Sequence, residues 1–568
     1  MACVTEPPDN GVTAHSGSQP MLVRGGRLYD GAGSAPRCAD LLITDGLVER
    51  IAAPGEFDGL DDRQTMIIDA DDRIVSPGFV DLHTHSDLTL LSAPNAPSRI
   101  GQGITTEVIG NCGLGVAPLP ADVDHGAIRE AVGHLDLDRS VRWTWQDVTG
   151  HLQAIAAAGP AVNVATLVGH LPLHAGVAGF GIERPAGALD RMCGLLADAL
   201  DSGAAGLSTG LVYAPLTTVH EDELLSLAEV VAERDKVFAW HVRSYEDDLV
   251  ASVDQAVRVA ERTGVRTQIS HLTAIGRRNW PSLARVLERI DQARAATGPG
   301  RIGIDVYPYL HGNCPLAQLL PAWAQLGTAA QWSARLHLPE VRQRVIEAWV
   351  HRTLGWDEVM ISFVPEGGTS AFVGRTVAEI ATTMGRDGDE VALDLLADHA
   401  GAVLIVAGGR SEELLQTVLA HPATVIGSDG QSMDPDGPTG RGSPHPRSYG
   451  CFPRYLARII AAAPSDEVAL AEAIARCTSR PAAIMGLDRG QLVEGAPADV
   501  LVWDPAHLAD TATFDAPQQP AAGIDAVVVN GVLAARGGGL TGQRSGQVLR
   551  VGDTPQTIDR PHLLEEIA

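Results

Sequence analysis

From residue 74 onward the chain alternates short apolar or β-branched runs with longer segments of helical period, the pattern of repeated βα units building a parallel sheet. The runs read IVSPGFVDLH, TTEVIGNC, NVATLVGH, AAGLSTGL, KVFAWH, RTQISH, IGIDVYPY and ATVIGSD. Eight of them suit a closed (β/α)8 barrel. Val250, Val253, Val257 and Ala260 share one helical face between the fifth and sixth runs, and Leu283, Val286, Leu287 and Ile290 do so between the sixth and seventh, which predicts crossover helices. The interval over residues 311–420 is far longer than a βα loop and holds helical patterns of its own, such as PEVRQRVIEAWV, so it reads as an insertion over the barrel mouth after the seventh strand.

The flanks have a different period. MLVRGGRLYDG and ADLLITDGLVERIA before the barrel, and ADVLVWDP and IDAVVVNGVLAARGG after it, alternate at period two with Asp-Gly or Asn-Gly turns. These two all-β pieces predict a small sandwich built from both chain ends. The domain reading is then a disordered tail over 1–20, sandwich over 21–73, barrel over 74–488, sandwich over 489–552 and a second tail over 553–568.

Composition narrows the function. A net charge of −28 over 568 residues argues against nucleic acid or an anionic membrane as partner, since both require clustered basic side chains. The first twenty residues have neither a basic nor an apolar segment of a secretory signal, and no apolar run is long enough to cross a bilayer. Seven scattered cysteines do not form a disulfide framework and point to a reducing cytoplasm. The chain carries a single lysine, Lys236.

The apolar runs end in polar residues with metal-binding or proton-transfer chemistry: His83 and His85 on the first, Cys112 on the second, His241 on the fifth, His271 on the sixth and Asp429 on the eighth. Taken singly, Cys112 reads as a small buried hydrophobe, Asp429 as a turn residue and either later histidine as a satisfied core side chain. Taken together, at strand ends that converge on the catalytic face of a parallel barrel, they read as one site. Alternation along a strand puts His83 and His85 on the same face. Imidazole, thiolate and carboxylate together suit Zn²⁺, with capacity for one or two ions. His170 and His174 belong to the same face without an assigned role.

These residues and their surroundings resemble the amidohydrolase superfamily and, within it, the N-acyl-D-amino-acid deacylases, or D-aminoacylases. PGFVDLHTHSD, GNCG, GLSTGLVYAP, HVRSYEDDL, DVYPYLHGN, HPATVIGSDG and HPRSYGCFPRYL occur in family order, and the resemblance covers about residues 20–552. It implies that Cys112, His241 and His271 hold a tight zinc, that His83, His85 and Asp429 form a weaker second position, and that Asp429 is the general base. Many binuclear relatives use a carboxylated lysine bridge. Lys236, about 16 Å from His241 at strand rise and on the opposite face, cannot supply one here.

One departure bears on substrate. The family lysine shortly after the sixth-strand histidine, which helps bind the substrate carboxylate, is replaced by Thr273. Arg277 and Arg278 are the nearby cations, and Tyr307 and Tyr309 match the tyrosine segment facing substrate. The reading is a zinc-dependent amidohydrolase releasing a D-amino acid and a carboxylate from an N-acyl-D-amino acid. A carboxylate-free amide, such as an acylated secondary metabolite or a cyclic amide, is the alternative. An inactive zinc-binding protein is a third reading, against which the presence of a base argues. Oligomeric state is not legible in the sequence.

Overall fold

The computed structural model describes residues 19–60, 63–365 and 370–552. The tails expected over 1–20 and 553–568 fall outside the described residues, except for positions 19 and 20.

Eight parallel strands follow one another in chain order around a barrel: β1 (Phe79–Asp81), β2 (Ile104–Ile109), β3 (Asn163–Gly169), β4 (Gly206–Gly210), β5 (Val237–His241), β6 (Arg266–Ile269), β7 (Ile302–Val306) and β8 (Thr424–Ile426). The first and last strands meet just beyond their ends. Thr84 bridges Gly430, Asp429 N–H donates to His83 O (2.8 Å) and His85 N–H donates to Gly430 O (2.8 Å). Every residue of β2 and β3 is buried, because helices cover one face of each strand and packed side chains fill the other. The predicted crossover after β5 is the helix Leu249–Thr263, which buries Leu249, Val253, Ala256, Val257 and Ala260 and ends at Gly264 in the left-handed region (φ 72°).

The first apolar run serves two sheets. Ile74–Pro77 pairs antiparallel with Val500–Trp503 in the flanking sheet, and only Phe79–Asp81 joins the barrel. Gly78 makes the transfer possible: a Cβ there would lie 2.2 Å from the Thr105 side chain. The barrel therefore begins at Phe79, five residues after the expected Ile74. Burial of both segments hides the break from a hydrophobicity reading.

The two chain ends form one nine-stranded mixed sheet that folds over its own core of residues such as Val23, Leu41, Val75, Val500 and Val528. Val48 N–H to Ala496 O (2.8 Å) and Ala498 N–H to Gly46 O (2.9 Å) tie the N-terminal hairpin to the C-terminal segment. Beyond this sheet the chain runs beneath the barrel, where Val164 N–H donates to Gln547 O and Val551 N–H to Gly203 O. Lys236 lies at the same end. Its Nζ donates to Leu200 O (2.7 Å), Ala204 O (2.6 Å) and Val551 O (3.3 Å).

The insertion has a core of its own, with Trp332, Val359, Ile361, Leu396 and Ile405 among its members, around a three-stranded antiparallel sheet of Gly312–Pro315, Val359–Phe363 and Leu404–Ala407. The helix Glu412–Ala420, counted with the insertion in the sequence reading, is instead the element leading into β8.

Candidate metal centre

The polar residues at the strand ends converge. Donor atoms of His83, Cys112, His271 and Asp429 all lie within 4.8 Å of one another, and all four residues are buried. Cys112 Sγ is 3.3 Å from His83 Nε2 and 3.4 Å from His271 Nε2. His85 Nε2 donates to Asp429 Oδ1 (2.9 Å). The His241 ring stands edge-on to His271, with centroids 4.6 Å apart. The cluster thus cuts across the two ligand trios implied by family resemblance, with the thiolate touching members of both.

The backbone turns sharply at these positions. Cys112, His271 and Asp429 take positive φ values of 54°, 37° and 52°, uncommon for side chains other than glycine. At each the chain leaves a barrel strand while the side chain stays turned toward the axis.

Charges are arranged around the thiol. Burial opposes ionisation of Cys112, but His83, His271 and His241 outweigh it and hold the thiol well below its ordinary pKa. Burial also disfavours a charged His83, which the Asp305 carboxylate and Cys112 counter, raising that ring well above the usual histidine value. Asp429 is buried as well, yet Arg447, His271 and His85 hold its carboxyl far below the carboxylate range. Arg447 Nη1 is 2.7 Å from Asp429 Oδ2.

The donor set fits a zinc ion. Both ring nitrogens of His241 and Nδ1 of His85 are buried without a hydrogen-bond partner, an arrangement that costs free energy unless something binds there. His83 Nδ1 donates to Asp305 Oδ1 (2.9 Å), which fixes the ring with Nε2 facing the cluster, as supporting carboxylates do for metal-binding histidines. Asp305 also accepts from the His271 backbone N–H (2.9 Å).

Below the mouth, Arg99 is fully buried with Asp81 (3.6 Å) and Glu107 (3.4 Å), and Asp81 accepts from Ser428 N–H (2.9 Å). This network fastens β1, β2 and β8 under the cluster.

The cavity above has about 1060 Å³ of empty space, its open mouth included, enough for a small acylated amino acid. Thr273 and Tyr307 line it; Tyr309, Arg277 and Arg278 do not. Tyr309 donates instead to Asp510 Oδ2 (2.8 Å). After Gly276 (φ 83°) the chain turns away, so that Arg278 pairs with Asp247 (2.8 Å) and Arg277 lies over Trp280. The arginines in the wall are Arg410, Arg441 and Arg447, none of which the sequence reading singled out. His134 and Tyr213 were likewise missed, although Tyr213 stands in GLSTGLVYAP. Tyr213 packs against His241 (centroids 5.1 Å apart), and burial pushes His134 down to about 3, keeping it neutral.

His170 and His174 belong to a separate buried group. Glu223 Oε1 accepts from His170 Nε2 (2.9 Å) and His174 Nδ1 (2.7 Å), and Arg184 Nη1 donates to Glu223 Oε2 (2.9 Å). The guanidinium compensates the carboxylate, and the group ties helix His170–Ala178 to helix Glu221–Ala232.

A parallel barrel with histidines, a cysteine and an aspartate on its C-terminal rim is the construction of a metal-dependent hydrolase. The chain belongs to the amidohydrolase family, whose model matches residues 66–535. It is 34% identical over 520 residues to the N-acyl-D-glutamate deacylase of Alcaligenes xylosoxydans xylosoxydans, covering 90% of this chain and 92% of that one. It is 33% identical over 549 residues to the D-aminoacylase of the same organism, covering 94% and 99%. The crystal structure of N-acyl-D-glutamate deacylase from Bordetella bronchiseptica, complexed with zinc and a phosphonate mimic of the tetrahedral intermediate, superposes with a TM-score of 0.77 at 31% identity, over 93% of this chain and 99% of that one. Among the described residues no helix is long and apolar enough to cross a membrane.

Proposed function

We propose that the protein is a zinc-dependent deacylase that hydrolyses the amide of an N-acyl-D-amino acid to the free D-amino acid and a carboxylate. The observation that carries this reading is the buried cluster of His83, Cys112, His271 and Asp429 at the floor of a cavity whose wall includes Arg410, Arg441 and Arg447. The likeness to deacylases over nearly the whole chain supports the same activity here.

His83, His85, Cys112, His241, His271 and Asp429 would hold the metal, which when bound supplies Lewis acidity to the acyl carbonyl and the attacking water. The chain's own residues do the rest. Asp429, kept ionised by Arg447 and the histidines around it, takes a proton from the attacking water and returns it to the departing nitrogen. Asp305 holds His83 in register. Substrate enters past the insertion, whose residues Asn313, Ser362, Leu404 and Arg410 form part of the wall. The odd number of scattered cysteines supports a reducing compartment such as the cytoplasm.

The test is turnover by the zinc-loaded protein on N-acetyl-D-amino acids, their L counterparts and carboxylate-free amides. Release of D-amino acids is expected. Asp429→Asn should keep the fold while losing roughly 100- to 10,000-fold in rate, the usual cost of removing a general acid-base group. Turnover confined to carboxylate-free amides would replace this reading with the alternative, and an Asp429→Asn rate within a few-fold of the parent would remove Asp429 from the mechanism.

A further inference from the structure

Among the described residues the carboxylate of Asp429 and the guanidinium groups of Arg410 and Arg447 line the cavity. Arg447 is neutralised by Asp429 at 2.7 Å. Arg410 has no such partner: among the described residues no carboxylate pairs with it, and its Nε is buried without a hydrogen-bond acceptor. Among the described residues its hydrogen bond runs from Nη2 to the Tyr307 hydroxyl (2.7 Å). A half-buried cation satisfied by a single neutral oxygen leaves much of its donor fork unused, and that fork matches a carboxylate in two-point geometry.

The position of Arg410 is built. It follows the strand Leu404–Ala407 of the insertion and reaches over Tyr307, its Cζ 4.8 Å from the ring centroid, while Arg447 lies 4.6 Å from the centroid of the same ring. Gly312 makes room, since a Cβ there would come within 2.7 Å of Arg410 Nη2. Asp429, Arg447, Tyr307 and Arg410 therefore form a continuous row leading from the metal cluster into the cavity. In an N-acyl amino acid the carboxylate is two bonds from the amide nitrogen, the atom Asp429 must protonate. A carboxylate held at the far end of this row places the amine half of the substrate beside the base.

We infer that Arg410, a cation supplied by the insertion and seated over Tyr307, is a specificity-determining group of the site that receives the substrate carboxylate. This rests on the deacylase reading and names the cation that selects its substrate. The cation comes from the insertion. The barrel loop after β6 contributes His271, Thr273 and Ile275 to the wall and no arginine.

The experiment compares the zinc-loaded parent, Arg410→Gln and Arg410→Lys on the best N-acetyl-D-amino acid of the panel and on its carboxamide, by initial rates and by titration calorimetry of both compounds. The parent should favour the acid, and Arg410→Gln should lower kcat/KM for the acid by roughly 10- to 100-fold, as expected for one charge-assisted contact. The loss should fall mainly on KM, with the carboxamide affected only a few-fold and Arg410→Lys recovering part of the preference. Undiminished preference for the acid in Arg410→Gln, or equal losses on acid and carboxamide, would overturn the assignment. If the parent turns over neither compound, the deacylase reading fails, and calorimetry judges Arg410 separately: tighter binding of the acid that Arg410→Gln abolishes upholds the subsite, and no preference in the parent rejects it.

Discussion

Cys112 Sγ is the atom on which the cluster turns, 3.3 Å from one histidine and 3.4 Å from another. It is held there at φ 54°, a conformation that costs on the order of 1–3 kcal/mol for a residue with a side chain. Its removal should therefore empty the site. Cys112→Ala is expected to lose most of its zinc and its activity together. His83→Ala leaves Cys112, His241, His271 and Asp429, and should keep most of the zinc while losing rate. Elemental analysis beside initial rates decides between the two, and a Cys112→Ala protein with full zinc would exclude the thiolate as a ligand. At this scale the legible residues were those that the end of an apolar run places. β1 ends at Asp81 and the chain bends at Leu82 and His83, so His83 and His85 lie past the strand on either side of Thr84, whose bridge to Gly430 holds them at the barrel rim. Arg277 and Arg278 misled because nearness to Thr273 in sequence says nothing of the turn at Gly276 that carries them outward. Arg410 left no signal, since its reach into the cavity depends on how the insertion folds.

Glu223 joins two helices on the outside of the barrel through a carboxylate that accepts from two imidazoles and a guanidinium. Burial alone would raise its pKa, but His170 and His174 reverse the effect and hold it far below the ordinary 4.5. A depressed folded-state pKa gives stability that is present above the unfolded value and lost as pH falls through it toward the folded value. Glu223→Gln should thus destabilise the protein by about 1–3 kcal/mol near neutral pH, with the deficit shrinking as pH drops below about 4.5. Denaturant melts of parent and variant from pH 7 to pH 3 measure it; a deficit that holds constant or widens in acid contradicts this account. The helices themselves could be read from their apolar faces. The partner of His170 and His174 could not, because it arrives from an element beyond the next strand, and only the packing of neighbouring helices shows the meeting. The helix Glu412–Ala420 was assigned to the insertion for a related reason: periodicity reveals a helix without saying which layer it joins.

Over the whole molecule, eight apolar runs were enough to read the barrel, and paired period-two flanks enough to read a β unit shared by both ends. The junctions were less legible, as at Ile74–Pro77, because a strand buried in one sheet has the same composition as a strand buried in its neighbour. The course of the C-terminal segment under the barrel was also hidden. It is held by backbone hydrogen bonds that carry no side-chain signature. Lys236 marks this place, with its ammonium locked among three carbonyls, one of them from Val551. Apart from an α-amino group, the chain offers amine-reactive reagents this one nucleophile. A succinimidyl ester should acylate it in denaturant at least tenfold faster than in the native state, where reaction must await local opening. Peptide mass spectrometry over a time course shows the difference, and equal rates would mean that the floor is open as a rule. The molecule thus carries a single internal reporter: each acylation of Lys236 records one release of the floor, while a coupling chemistry aimed at surface lysines finds none to immobilise.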